Sequence, residues 1–351
     1  MPLECGKKII ILYILTILRK YSDRNHPMTQ QQIAEKLQED YDIQVHRATI
    51  KRNLDDLIAA DYGIRSKEVA RSYKDRATGM EEDNTINTNF YYEHEFSEAE
   101  LHMLIDGLLF SRSVPYKERK ALIDKLSELC SSHFSKRIQK VHSMNSDSPQ
   151  NEKLFIHIEK LEAAIQDGRQ IEISYGYYGT DLKLHESLNP DGTVKKQLLN
   201  PYQLVASEGR YYLICNKDNY DNVANYRIDR IMSVKILKTP VKPKNQVTGL
   251  ENGLKLQEYV YQHVNMFAGE PEMVEFEIPK KNVSLVIDFF GKHASFFDKG
   301  DGTVSCHIKT SREAMKHWAA QFATMVKVTS PESLVEEIRE EIRAAAENYG
   351  V

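Results

Sequence analysis

Three short helical segments in the first sixty residues constrain the fold of this chain more than any other sequence feature. Apolar residues recur at helical spacing over residues 10–18. Thr29 and Gln32 have the spacing of a capping box, which predicts the start of a second helix. A short turn at 41–45 leads into a third helix, expected at 46–60. Short helices with a tight turn between the second and the third predict a helix-turn-helix.

The third predicted helix has an apolar side and a polar side. Ile50, Leu54 and Leu57 form the apolar stripe. A rotation of about 100° per residue then directs Ala48 and Arg52 most nearly outward. Arginine and lysine recognise guanine in the major groove, and asparagine recognises adenine. A polar face that contacts only solvent is the alternative interpretation. The candidate DNA contacts in this region are Gln30, His46, Arg47, Ala48, Thr49, Lys51, Arg52 and Asn53.

Two strand-like segments follow the third helix, at 67–73 and 88–92, and they surround a polar stretch. This order resembles a β-hairpin wing, in which Arg71 and Lys74 would contact phosphates. Three consecutive acidic residues at 81–83 favour the alternative, in which the hairpin tip faces solvent. We assign residues 1–95 to a winged helix-turn-helix DNA-binding domain.

A helical connector is expected at 96–142. Ser97 and Glu100 form a capping box for its first helix. The side chains expected to face inward are Leu101, Leu104, Leu108 and Leu109 of this helix and Leu122, Leu126 and Leu129 of the second. The polar segment 143–151 has the composition of a linker.

The middle of the chain reads as one helix followed by five short strands. The strands are expected at 170–175, 195–205, 210–215, 223–227 and 231–237, with turns at Asp191-Gly192 and Glu208-Gly209. Many short strands in so few residues predict a small, strongly bent β-barrel over 152–240.

The last part of the chain, 270–351, has a different order of elements. Strand and helix patterns alternate as βαββαβ and are followed by a terminal helix, which predicts a ferredoxin-like domain. The expected fold class is therefore multidomain α+β.

Composition and motifs exclude several function classes. The formal net charge of −4 argues against a wholly basic nucleic-acid coat, although a local DNA-binding face needs only a few cations. Four widely separated cysteines favour a reducing cytoplasm over a disulfide scaffold. The apolar run at 9–18 is too short for a membrane span and lacks a signal-peptide cleavage site. Since no P-loop, GxGxxG, GxSxG or HExxH motif occurs, we expect neither an enzyme nor a bound metal or cofactor.

Arginines and tyrosines recur on neighbouring strands of the predicted barrel, in segments 200–205, 209–214 and 225–231. Arginine presents a planar fork to phosphate or carboxylate, and tyrosine offers a stacking face and a hydroxyl. In the alternative interpretation the tyrosines pack the barrel interior, while the arginines are solvated or pair with Asp229.

These segments also carry a resemblance to a known family. The tetrapeptide at 210–213, Arg-Tyr-Tyr-Leu, resembles the signature of WYL domains, with Tyr211 at the usual tryptophan position. Pro201-Tyr202 and the segment 226–231 match the same family. Residues 47–54 are similar to the recognition helix of winged helix-turn-helix regulators that carry this domain, and 266–270 begins a segment similar to their C-terminal extension.

The resemblance implies a bacterial transcriptional regulator whose Sm-like, SH3-type barrel senses a ligand, either nucleic acid or a nucleotide. The head would bind double-stranded operator DNA as a homodimer, because two-fold dimers read paired half-sites. The alternative is a nucleic-acid-sensing interaction module in DNA damage or phage defence, without operator preference. The ligand contacts that the resemblance implies are Tyr175, Tyr202, Arg210, Tyr212, Arg227 and Arg230.

Overall fold

The computed structural model describes residues 9–74, 81–138 and 151–350, without the side chains of 70–74, 81–86 and 137–138. The described residues form two compact units. Unit 1 contains residues up to 111 and from 116 to 138, and unit 2 contains 112–115 and everything from 151 onward.

Unit 1 begins with helices and a strand pair. These elements are α1 Ile10–Tyr21, α2 Gln30–Tyr41, α3 Arg47–Ala59, β1 Ile64–Lys74 and β2 Glu81–Tyr92. The antiparallel pairing of β1 with β2 runs from Ile64 opposite Tyr92 to Lys74 opposite Glu81. Both strands are longer than predicted, because backbone pairing continues through polar residues that show no apolar alternation.

Local side-chain contacts start the second and third helices. Thr29 Oγ1 accepts a hydrogen bond from the Gln32 N–H at 3.3 Å, and Gln32 Oε1 accepts one from the Thr29 N–H at 2.8 Å. The predicted capping box is confirmed. At α3 the cap is His46, whose Nδ1 accepts from the Ala48 N–H at 3.3 Å. A histidine thus serves as the N-cap of α3.

One apolar core holds the helices and the strand pair together. The segment before α2 is attached to β2 by two backbone hydrogen bonds between Met28 and Phe90, at 2.7 and 2.8 Å. Because both residues are also buried, the strand pair is fixed against the helices. The core includes Ile14, Ile17, Leu18, Ile33, Leu37, Ile50, Leu54, Leu57, Ile64 and Phe90.

The rest of unit 1 is helical, with α4 Glu98–Phe110, α5 Tyr116–Ser127 and α6 Ser132–Ile138. The capping box at Ser97 is confirmed. The expected burial of Leu104 and Leu129 is wrong, since they are 45% and 42% exposed. Leu101 is buried as expected, and it forms a cluster with Ile105, Cys130 and Phe134, so that α6 packs against α4 on this side.

Unit 2 begins with one helix and six strands. These are α7 Leu154–Gln166, β3 Arg169–Tyr178, β4 Leu184–Glu186, β5 Lys196–Ser207, β6 Arg210–Lys217, β7 Val223–Arg227 and β8 Ile231–Pro240. The strands pair antiparallel in the order β4-β3-β5-β6-β7, and β8 pairs with β3. The predicted turn at Glu208-Gly209 joins β5 to β6, with φ of 50° and 71°.

This sheet is bent but does not close, so the expectation of a closed barrel is wrong. Within the described strands, β7 ends at Arg227 and a single 3₁₀ turn at Ile228–Arg230 passes the chain to β8. This short connection leads directly into β8. Strand β8 pairs with β3 and not with β7, so the two ends of the sheet do not join. The bend in β5 lies at a register shift between Pro201 and Gln203, where proline provides no N–H for the ladder.

The two faces of the sheet have separate cores. Helix α7 packs on one face over Ile171, Leu213 and Tyr226. The other face carries Tyr202 and Tyr212 and is covered by the chain after β8, including α8 Leu256–Gln262. Both faces are thus shielded by elements of unit 2 itself.

The last part of unit 2 has the predicted order of strands and helices. Its elements are β9 Pro271–Pro279, α9 Val283–Phe290, β10 Ser295–Asp298, β11 Thr303–Ser311, α10 Arg312–Gln321, β12 Lys327–Ser330 and α11 Glu332–Asn348. The sheet order is β10-β11-β9-β12, with all pairs antiparallel. Phe276 of β9 and Trp318 of α10 meet edge to face in its core at 5.2 Å. In the part of the chain that the structure describes, no helix has the length and apolar character to cross a membrane.

Candidate functional site

The N-terminal half of α3 presents a cationic surface. Arg47, Lys51 and Arg52 are exposed, as are His46 and Ala48. Among the described side chains, no carboxylate forms an ion pair with any of the three cations. Their charge is therefore available to an anionic partner.

Two of the predicted DNA contacts are linked to each other. The Nε of Arg47 donates a hydrogen bond to Oε1 of Gln30 at 3.1 Å. This bond joins the first turn of α3 to the first turn of α2. It holds the Arg47 side chain at the edge of the cationic surface.

Asn53 lies elsewhere than the helical wheel predicts. It is only 9% exposed, and its Nδ2 donates to the backbone oxygen of Thr49 at 2.7 Å. Thr49 itself is half-buried. The expected exposure of Asn53 is wrong, because the core against α3 extends beyond the stripe of Ile50, Leu54 and Leu57. The cationic surface therefore consists of Arg47, Lys51 and Arg52.

The proposed wing contacts fall on side chains outside the described residues. The backbone register places Arg71 opposite Asn84 and Lys74 opposite Glu81. Arg71 and Lys74 both belong to β1, but their contacts are not described.

In unit 2, Arg227 forms a two-point ion pair with Asp229. Its Nε donates to Oδ1 at 3.1 Å and its Nη2 donates to Oδ2 at 2.6 Å. The Arg227 side chain is 21% exposed and that of Asp229 is 8% exposed. Burial lowers the pKa of the Arg227 guanidinium, but the hydrogen bonds and charge of Asp229 outweigh burial and raise its pKa overall. This is the pairing that the alternative interpretation names.

Two tyrosines and a second arginine surround this pair. The Tyr175 hydroxyl accepts from the Arg227 N–H at 3.3 Å, and its ring meets Tyr226 edge to face at 5.0 Å. Burial raises the pKa of the Tyr175 and Tyr178 hydroxyls, and the positive charge of Arg230 opposes the rise in both. The Nε of Arg230 and the hydroxyl of Tyr178 are buried without a hydrogen-bond partner in the described structure.

Tyr202 and Tyr212 serve mainly as core residues. Tyr202 is 4% exposed and donates its hydroxyl to the backbone oxygen of Lys242 at 2.8 Å. Burial raises its pKa to about 12. Tyr212 is also buried, although the register places it directly opposite Arg227. Arg210 lies two residues before Tyr212, on the same face of β6 and half-buried.

The structure therefore divides the six predicted ligand contacts. Tyr175, Arg227 and Arg230 meet around Asp229, and the register places Tyr212 beside Arg227, whereas Tyr202 packs in the core with the chain that follows β8. The sequence reasoning missed Tyr178. No motif marks Tyr178, because it joins the cluster only through the path of β3 past a register shift at Ser174 and Tyr175.

No group of histidine, cysteine, aspartate and glutamate side chains in the described residues is arranged to hold a metal ion. Cys215 and Cys306 are free and buried, and Cys130 is buried as well. Burial raises the pKa of the Cys306 thiol to about 11.

Two domain families match the chain. The WYL domain matches residues 157–236, which contain the cluster around Asp229, and the WCX domain matches residues 280–346. The chain therefore carries a WYL domain followed by a WCX domain. No curated protein sequence gives a significant match.

Solved structures give further similarities. Proteasome accessory factor B/C (PafBC) of Arthrobacter aurescens is 16% identical, with 99% of this chain and 49% of that chain covered at a TM-score of 0.28. This chain thus spans about half the length of PafBC. A CRISPR Cas-related protein is also 16% identical, with 98% of this chain and 85% of that chain covered at a TM-score of 0.36.

Proposed function

We propose that this chain, which carries WYL and WCX domains, is a ligand-responsive bacterial transcriptional regulator. In this proposal α1–α3 with β1 and β2 form a winged helix-turn-helix that binds operator DNA. The open sheet β3–β8 is an Sm-like sensor for an anionic ligand, either nucleic acid or a nucleotide. The segment β9–α11 is a ferredoxin-like domain, and the protein acts in the cytoplasm as a homodimer.

The observation that carries DNA binding is the cationic surface of α3. Arg47, Lys51 and Arg52 occupy the N-terminal half of the helix, which is the half that reaches base edges in helix-turn-helix proteins. Their charges are not neutralised by described carboxylates, so phosphates or guanine edges are suitable partners. The exposed acidic residues Asp55 and Asp56 lie in the second half of α3, where they limit binding to one end of the helix.

The support for ligand sensing is the cluster around Asp229. Two guanidinium groups, from Arg227 and Arg230, lie near enough to Tyr175 and Tyr178 for their charges to act on the pKa values of both hydroxyls. Guanidinium groups bind phosphate oxygens in pairs, and tyrosine adds a hydroxyl and a ring for stacking. This combination fits a phosphate-bearing ligand better than a neutral one.

The ligand would regulate DNA binding through a population shift. A ligand changes an equilibrium only by its different affinities for the two states. We therefore expect the two-fold dimer to bind paired half-sites with an affinity that depends on the ligand.

Fluorescence anisotropy with DNA fragments from the promoter region of the gene that encodes this chain tests the proposal. The expected result is salt-sensitive binding that prefers one fragment over scrambled DNA of the same length. Binding without any sequence preference, together with a stably copurifying protein, would favour the interaction module instead. Mass spectrometry of nucleic acid and small molecules that copurify with the protein would identify the ligand class.

A further inference from the structure

We propose that Asp229 is an internal competitor of the ligand, whose carboxylate occupies the fork of Arg227 until an anionic group of the ligand displaces it. This inference rests on the proposed function, since it concerns the regulation of the same sensor site. It assigns Asp229 a role that differs from a simple structural counter-ion.

The Asp229 carboxylate contacts the Arg227 guanidinium in the way that a bound anion would. Two oxygens of Asp229 accept from two nitrogens of Arg227, at 3.1 and 2.6 Å. Phosphate oxygens bind an arginine fork with the same two-point arrangement. The carboxylate and a phosphate group of a ligand therefore cannot use these two nitrogens at the same time.

The backbone keeps Asp229 in place. It is the central residue of the 3₁₀ turn Ile228–Arg230, two residues after Arg227, and Ile228 is fully buried beside it. The carboxylate is held close to the fork without a long flexible connection. Its effective concentration at Arg227 is consequently high, and only a ligand with strong additional contacts would replace it.

Such contacts are present in the same cluster. Arg230 Nε and the Tyr178 hydroxyl are buried and have no hydrogen-bond partner in the described structure. Buried donors normally have partners, so these two are available to a ligand that enters beside Arg227. Tyr175 adds a further hydroxyl, which already accepts from the Arg227 N–H.

The charge balance explains what this arrangement achieves. With the carboxylate in the fork, its negative charge offsets one of the two positive charges of Arg227 and Arg230. Weak anions then gain little by entering, whereas a phosphate group that engages both guanidiniums gains two charge-assisted interactions. Asp229 thus sets the threshold for ligand binding.

The decisive variant is Asp229→Asn in the full-length protein. It removes the charge and nearly preserves the shape, so we expect it to bind fluorescein-labelled oligo(dT) about tenfold more tightly than the unmodified protein. The matched control is Asp221→Asn, which removes a charge from an 87% exposed side chain before β7. Strand β7 alone separates the two positions by about 13 Å, so the control should leave affinity unchanged.

Arg227→Ala separates this inference from the proposed function. If Arg227→Ala weakens oligo(dT) binding but Asp229→Asn binds no more tightly, the competitor role is wrong and the sensor site stands. If neither the unmodified protein nor Asp229→Asn binds more oligo(dT) than Arg227→Ala does, both the competitor role and the nucleic-acid ligand class are overturned. Circular dichroism checks folding, and Asp229→Ser provides a second charge-removing variant with the same expected gain.

Discussion

The Nε of Arg47 lies 3.1 Å from Oε1 of Gln30 and joins the first turns of α3 and α2. Arg47 is exposed, and Gln30 is half-buried. The bond limits the orientations of a cationic side chain that would otherwise rotate freely at the start of the helix. Positioning of this kind reduces the entropy lost when a partner binds.

Gln30→Ala should therefore weaken operator binding without removing a charge. We expect a loss of about 0.5–1.5 kcal/mol in binding free energy, the usual contribution of one hydrogen bond. Anisotropy titrations at fixed salt measure this loss. Gln31→Ala is the matched control, since Gln31 is exposed and its side chain donates to Glu35 of its own helix. Equal losses in the two variants would show that the Arg47 contact has no role.

Arg52→Ala should lose sequence preference. If Arg52 reads a base, the variant loses about 1–3 kcal/mol on the preferred fragment and much less on scrambled DNA. Competition anisotropy with both fragments provides the measurement. Arg343→Ala removes the same charge from an exposed position on α11 and should bind like the unmodified protein. A uniform loss on both fragments would assign Arg52 to phosphate contact only.

Arg227→Ala should alter the response to ligand and leave DNA binding without ligand intact. Arg227 belongs to unit 2, whereas the cationic surface lies on α3 in unit 1. Operator titrations with and without copurifying ligand measure the difference. Lys235→Ala, exposed on β8, removes one positive charge from the same sheet and serves as control. If Arg52→Ala and Arg227→Ala lose operator binding equally, the proposed division between head and sensor is incorrect.

His157 should make unit 2 sensitive to acid. It lies on α7 and is 3% exposed; burial, with help from Lys153 and Lys160, lowers its pKa to about 4. The unfolded chain takes up this proton near the ordinary histidine pKa of 6.5, but the folded chain does so only near pH 4. Stability is thus complete above pH 6.5 and falls as the pH decreases from there toward 4.

The expected loss from this histidine is as much as about 3 kcal/mol. Urea unfolding at several pH values in this window measures it. His157→Leu should reduce the pH dependence, because leucine does not titrate. The substitution breaks no hydrogen bond of the buried Nδ1, which has no partner in the described structure. His293→Leu, at an exposed position in the same unit, should retain it. An unchanged pH dependence in His157→Leu would assign the acid sensitivity to other groups.

Local features of the structure follow from the sequence. The capping boxes that begin at Thr29 and Ser97 are present, because each depends on residues only three positions apart. The turn at Glu208-Gly209 and the order of strands and helices after Pro271 also follow from local patterns. These features depend on residues that are close in the sequence, so they form independently of the tertiary structure.

Features that depend on distant residues required the tertiary structure. Burial of Asn53 depends on how α3 packs in the core of unit 1, and burial of Tyr202 and Tyr212 depends on the chain that covers the sheet after β8. The short strand β4 was not predicted, since it exists only through pairing with the end of β3. Helical wheels and strand alternation contain no information on which face meets another segment.

The sequence by itself determined the candidate arginines and their possible partner Asp229, because the segment 226–231 shows the charges of these residues and their close spacing. Only the tertiary structure decided that Asp229 holds Arg227 at two points, that Tyr175 and Tyr178 join them, and that the sheet remains open. The physical reason is that hydrogen bonds and burial require groups to meet in space. Segments far apart in the chain meet only where packing brings them together.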